Sequence, residues 1–86
     1  MSDYSIPQLL MILESLTPYL EESKTRHVGF LELKSMAGKN ADELVSILKK
    51  ENCIIDGTKD GLVPDDEAIR SFVRRIVDYV NSLTPQ

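Results

Sequence analysis

Apolar residues early in the chain recur at three- and four-residue intervals: Leu9, Ile12, Leu13, Leu16 and Leu20. That spacing lines one side of an α-helix. Ser5 is placed to cap it, and Pro7 falls near the first turn, where a missing N–H costs nothing. Pro18 interrupts the stripe and predicts either one kinked helix or two abutting pieces ending around Ser23. Lys24 to Gly29 reads as a connector with a short extended piece at Arg26-His27-Val28. A second helix is predicted from Phe30 to Ala37, with Phe30, Leu33, Met36 and Ala37 on one face and Gly38 as its stop. Lys39-Asn40 reads as a tight turn. Asn40 with Glu43 has the spacing of a capping box for a third helix, Ala41 to about Glu51. In it Leu44, Ile47 and Leu48 face inward, with Val45 at the edge.

The period then changes. Cys53-Ile54-Ile55 and Leu62-Val63 are short β-compatible runs on either side of Asp56-Gly57-Thr58-Lys59-Asp60-Gly61, a segment dense in turn formers. The pair predicts a β-hairpin. Pro64 ends the second run, and Asp65 is placed to cap the last helix. Asp66 and Glu67 in its first turn oppose the positive end of the helix dipole favourably. Ile69, Phe72, Val73, Ile76, Val80 and Leu83 form the clearest amphipathic stripe in the chain. Ser15-Leu16-Thr17-Pro18 recurs as Ser82-Leu83-Thr84-Pro85, and both copies read as helix-end signals rather than a repeat. The expected core is Leu9, Leu13, Leu16, Leu20, Phe30, Leu33, Ala37, Leu44, Ile47, Leu48, Ile54, Leu62, Ile69, Phe72, Val73 and Ile76.

Helix, connector, short helix, glycine turn, helix, hairpin, helix is an order that resembles a winged helix-turn-helix domain. Leu33, Ala37, Gly38, Leu44 and Ile47 carry the resemblance, at the spacing such units use for their inner face and turn. It spans roughly residues 5–83. It implies an α+β, mostly helical fold of three to four helices with a two- or three-stranded wing. It also implies that the third helix and the wing read DNA. Four positions depart from the pattern. Lys34 and Lys39 replace the small and aliphatic residues usual there, and Asp42 and Glu43 put negative charge at the start of the inferred recognition helix.

Size and charge narrow the choice. Eighty-six residues suffice for one domain over 1–86 with a single core and no deep active-site cavity. The formal net charge is −4 and the isoelectric point about 4.8, which globally disfavours an anionic partner such as DNA or a membrane surface. A single cysteine excludes an intrachain disulfide framework. With no signal-like N-terminus and no apolar run of membrane-spanning length, a cytoplasmic protein is expected.

No reactive constellation emerges. His27 has no second histidine or cysteine nearby, Cys53 begins an apolar run as a small hydrophobe would, and neither completes a zinc set. Asp56, Asp60, Asp65, Asp66 and Glu67 cluster around the hairpin, but they lack the twelve-residue EF-hand pattern and read as turn and cap residues. No phosphate-binding glycine loop is present. The sequence is therefore expected to encode a non-catalytic protein-interaction or assembly module without cofactor or metal, with a DNA-binding regulator as the alternative and a small enzyme as a remote third option. Lys39, Asn40, Ser46, Lys49, Lys50 and Lys59 are the candidate nucleic-acid contacts. Arg70, Arg74 and Arg75, on the outer side of the last helix, are candidates for an acidic partner. Ile6, Leu10, Met11, Tyr19, Val77, Tyr79 and Leu83 lie beside the main stripes, more apolar surface than one small core needs. Among them Leu10, Met11, Val77, Tyr79 and Leu83 are the candidate interface of a homodimer pairing the first and last helices, with Tyr79 near its centre.

Overall fold

The computed structural model describes residues 3–57 and 61–83. Four helices and one antiparallel hairpin follow in the order α1 (Ile6–Glu22), α2 (Phe30–Ala37), a 3₁₀ turn (Gly38–Asn40), α3 (Ala41–Lys50), β1 (Ile54–Gly57), β2 (Gly61–Pro64) and α4 (Asp66–Ser82). This is an α+β, mostly helical chain of winged-helix-like topology, and its sheet has two strands among the described residues.

Local chemistry accounts for most element ends. The Ser5 hydroxyl accepts from the Gln8 amide, and the Gln8 side chain accepts from the Ser5 amide, closing a capping box at α1. α1 then runs without interruption through Pro18, which resolves the choice left open by the sequence in favour of one helix. Pro18 is exposed, on the side of the helix that packs against nothing in the core. Gly38 ends α2 at φ 60° and ψ −127°, a backbone conformation that a side chain strongly disfavours. Asn52, at φ 59°, ends α3 in a Schellman motif. There Cys53 N donates to Leu48 O at 2.8 Å and Asn52 N to Lys49 O at 3.1 Å, and both Cys53 and Leu48 are buried. Asp65 caps α4 by accepting from the Ala68 amide.

Asn40 does not cap α3 as its spacing with Glu43 suggested. Its backbone lies near the helical region, and its side chain makes no capping bond. Instead its amide Nδ2 donates to Ser15 Oγ at 3.3 Å, stitching the turn to α1. The 3₁₀ turn leads into α3 without the extended residue that a capping box requires.

The core gathers Leu9, Ile12, Leu16 and Tyr19 of α1, Leu33 of α2, Leu44 and Leu48 of α3, and Ile69, Phe72 and Ile76 of α4, closed by Val28 and Cys53. Of the residues expected there, Leu13, Leu20, Phe30, Ile54, Leu62 and Val73 are only half-buried. Tyr19, expected beside the stripe, is 2% exposed because its hydroxyl finds a partner on α4 (below), which makes burial of the ring affordable.

Candidate functional site

The residues singled out for DNA contact do not converge. Ser46 and Lys49 are exposed on the same side of α3 as Asp42 and Val45. Lys50 points elsewhere, its ammonium 5.3 Å from the centre of the Tyr4 ring. Asn40 is turned inward to Ser15, and Lys39 is exposed in the 3₁₀ turn. Lys59 lies outside the described residues. The positive charge on the α3 surface is therefore divided between two sides, and each side also holds an acid. Asp42 accompanies Lys49, while Glu43 accepts from Gln8 Nε2 at 3.4 Å beside α1.

The three arginines of α4 also separate. Arg70 was expected on the outer surface, but it is drawn inward. Its Nε donates to Asp66 Oδ2 at 2.9 Å, and its Nη2 to the Leu20 carbonyl at 3.0 Å and to Ser23 Oγ at 2.6 Å. Tyr19 Oη donates to Asp66 Oδ1 at 2.9 Å. These bonds clasp the C-terminus of α1 to the first turn of α4 and satisfy a carbonyl that α1 leaves open. Burial works to raise the Asp66 pKa, but hydrogen bonds from Arg70, Tyr19 and Ser23 outweigh it and leave the carboxylate below its ordinary value. Burial and the Asp66 bond together push the Tyr19 hydroxyl up.

Arg75 lies over the Phe72 ring, 5.4 Å from its centre, with Glu51 at 4.0 Å. Glu51 accepts from Tyr4 Oη at 2.8 Å, and Tyr4 meets Phe72 edge-on at 6.5 Å. Burial and the Glu51 contact push the Tyr4 phenol up to about 12. Arg74 is exposed and makes no ion pair among the described residues.

Of the proposed interface, Met11 and Tyr79 are half-buried against the protein's own core. Leu10 at 50%, Val77 at 39% and Leu83 at 51% remain exposed, with Ile6 at 39% on the same side of α1 as Leu10. α4 is fully buried at Ile69, Phe72 and Ile76 and nowhere beyond. At 100° per residue, Val80 and Leu83 continue that same stripe. The apolar face of α4 outruns the core that covers it.

A second apolar surface escaped sequence reasoning. Phe30 and Leu62 together line three adjoining hollows of about 530, 450 and 500 Å³ between α2, α3 and β2. Leu31, 76% exposed, stands at the rim. Residue type and spacing suit both Phe30 and Leu62 to a core, yet each is only half-buried.

Chemistry at the remaining candidates is limited. Cys53 is buried, and burial pushes its thiol up to about 11, so little thiolate forms near neutral pH. His27 is exposed in the connector. Among the described residues no three His, Cys, Asp or Glu side chains gather into a metal set, and no helix is long and apolar enough to cross a membrane. Comparison with known proteins found no matching family model, curated relative or solved structure.

Proposed function

We propose that the chain is a non-catalytic assembly module that pairs with a second copy of itself through α4 and α1. One observation carries this reading: the apolar stripe of α4 continues past Ile76 to residues the protein's own core leaves half-covered or exposed. Ile6 and Leu10 give α1 a matching uncovered edge. A two-fold contact places the same patch on both subunits, so each apolar edge meets its like without requiring a foreign surface. Met11 and Tyr79 serve mainly the intramolecular core in this arrangement, and Leu10, Val77 and Leu83 carry the contact.

Small-angle scattering over a concentration series tests it. The single chain has a Cα radius of gyration of 13.0 Å. Size scaling puts a chain of this length near 12 Å and a dimer at about 16 Å or above. The radius is expected to rise with concentration, and the pair Val77→Asp and Leu83→Asp to hold it at the monomer value with helical content intact. A radius that stays near 13.0 Å up to millimolar protein defeats the reading.

The DNA reading rests on the winged-helix-like topology together with exposed Ser46 and Lys49 on α3. It has weaker support, because Asp42 shares that side and Lys50 is held at Tyr4. A duplex titration across salt separates the two. Phosphate contacts lose affinity steeply as salt rises, whereas an apolar dimer hardly responds.

A further inference from the structure

We infer that the open edge of β2 and the Phe30–Leu62 groove beside it form a docking site for an extended peptide segment of a partner protein. The assignment begins with hydrogen-bond parity. β1 and β2 pair as Ile54↔Pro64, Ile55↔Val63, Asp56↔Leu62 and Gly57↔Gly61. One step further along the same register, Asp65 N donates to Cys53 O at 2.8 Å, so Cys53 and Asp65 are a hydrogen-bonded pair. Bonded and non-bonded pairs alternate in an antiparallel ladder. Ile55–Val63 and Gly57–Gly61 are therefore bonded, and Ile54–Pro64 and Asp56–Leu62 are not. This explains why a proline is accommodated at position 64: the ladder asks no N–H of it. It also directs the N–H and C=O of Leu62 away from β1, and neither has a backbone partner elsewhere among the described residues.

A backbone donor and acceptor on one residue are the complement of another strand's backbone. The side chains beside this edge match the same occupant. The Leu62 side chain and the Phe30 ring line the hollows that flank it, with Leu31 exposed at the rim. An extended chain bonded to Leu62 directs alternate side chains toward that apolar floor. At the α2–α3 end the floor is bounded by Lys34, Lys49 and Asp42, while Glu32, which lines the other end, is already paired with Arg26. In a chain of net charge −4 this local excess of positive charge selects an acidic residue next to the docked apolar one. The occupant is thus an extended segment with alternating apolar residues and a carboxylate at one end.

The site shares no residue with the proposed α1–α4 contact, so it can be tested in the Val77→Asp, Leu83→Asp variant, whatever the fate of the dimer. The probe is a synthetic capped peptide of about seven residues, alternating valine and threonine, with glutamate near one end. Two controls replace its central valine by proline or its glutamate by lysine. Backbone amide NMR and amide hydrogen exchange are read with up to about 5 mM peptide, enough for affinities in the millimolar range. The Leu62 amide is expected to shift and to exchange more slowly with the glutamate peptide, while α4 amides stay unchanged. The proline control should have no effect. Leu31→Ser should weaken the response about threefold or more, and Lys49→Glu should reverse the preference between the glutamate and lysine peptides. An unchanged Leu62 amide, or equal shifts with the proline control, overturns the proposal. So does Leu62 protection that grows with protein concentration without peptide, which would make a second copy of β2 the occupant.

Discussion

Between Asp66 and Ile76, α4 buries Ile69, Phe72 and Ile76 completely and is tied to α1 through Tyr19, Asp66 and Arg70. Between Val77 and Leu83 the stripe has the same period and a similar apolar character, yet no residue there is fully buried. The two halves differ in what lies opposite them. Amphipathic spacing records that a face is to be covered, and does not say whether the cover is the same chain or another. The difference is energetic as well as geometric, because the fully buried side chains and the polar clasp to α1 both fall in the first half, while Tyr79 and Val80 in the second are only partly covered.

The largest expected effect is at the centre of the packed half. Phe72→Ala should cost about 3–5 kcal/mol, the range for losing a buried aromatic and leaving a cavity. Phe72 also receives Tyr4 on its edge and Arg75 over its face, so the cavity cannot close without disturbing both. Urea unfolding should show the midpoint falling sharply. A loss under about 1 kcal/mol, in the range of ordinary surface substitutions, would erase the contrast between the halves.

The clasp comes next. Arg70→Met keeps most of the aliphatic stem and removes the bonds to Asp66, Leu20 and Ser23. Charged hydrogen bonds are worth about 1.5–3 kcal/mol each when buried, but both side chains of this pair are partly exposed, so roughly 1–2 kcal/mol in total is expected. The pH dependence identifies the cause. The Asp66 carboxyl is depressed in the folded protein, so its contribution is present above the unfolded value of about 3.9 and is lost as pH falls through the folded value. The gap in stability between the native chain and Arg70→Met should therefore be wider at pH 7 than at pH 3. A gap independent of pH would assign the loss to packing of the stem rather than to the Asp66 pair.

Much of this contrast was legible in the residues themselves. Ser5, Gly38, Asp65 and the apolar spacing placed four helices and a hairpin where they lie, because caps, breakers and periodicity are local properties. The stripe from Ile69 to Leu83 was equally plain, and Leu10, Met11, Val77, Tyr79 and Leu83 stood out as surplus, although Met11 and Tyr79 pack against the chain's own core. Tertiary choices were not legible. Asn40 had the capping spacing, but its amide found Ser15 across the turn. Arg70 read as a surface charge until α1 supplied the Leu20 carbonyl, and Tyr19 as a flanking residue until α4 supplied Asp66. Each partner is more than twenty residues away in the chain, and no local rule reports it. The open edge of β2 depends on hydrogen-bond parity across the hairpin, which composition does not encode.

A smaller effect tests the stitch between the turn and α1. Asn40→Ala removes one side-chain bond, to Ser15 Oγ, and no cap. Ser15 is buried, so its hydroxyl loses a partner in a confined place. About 0.5–1.5 kcal/mol is expected, the net value of a single neutral hydrogen bond. Asn40→Ser would separate the two interpretations. A serine restores capping ability but is too short to span to α1, so a true N-cap would tolerate it, whereas the stitch would be lost as fully as in Asn40→Ala. Thermal melts of the two variants side by side decide between them.

The smallest effect on the isolated chain is expected at the end of α4. Leu83 is 51% exposed and follows the last helical residue, so Leu83→Ser removes little buried area and no hydrogen bond of the core. Under dilute conditions its unfolding midpoint should move by about 0.5 kcal/mol or less. The same substitution should act differently once protein concentration rises. If a second copy covers the stripe, association adds stability to the native chain in proportion to the logarithm of concentration, and Leu83→Ser removes most of that increment. The two chains would then unfold together when dilute and diverge when concentrated. Midpoints that stay parallel over a hundredfold concentration range (about 2.7 kcal/mol of available linkage) would show that no second copy covers Leu83. A divergence would show that its cover is another copy, because serine at this position changes nothing else that depends on concentration.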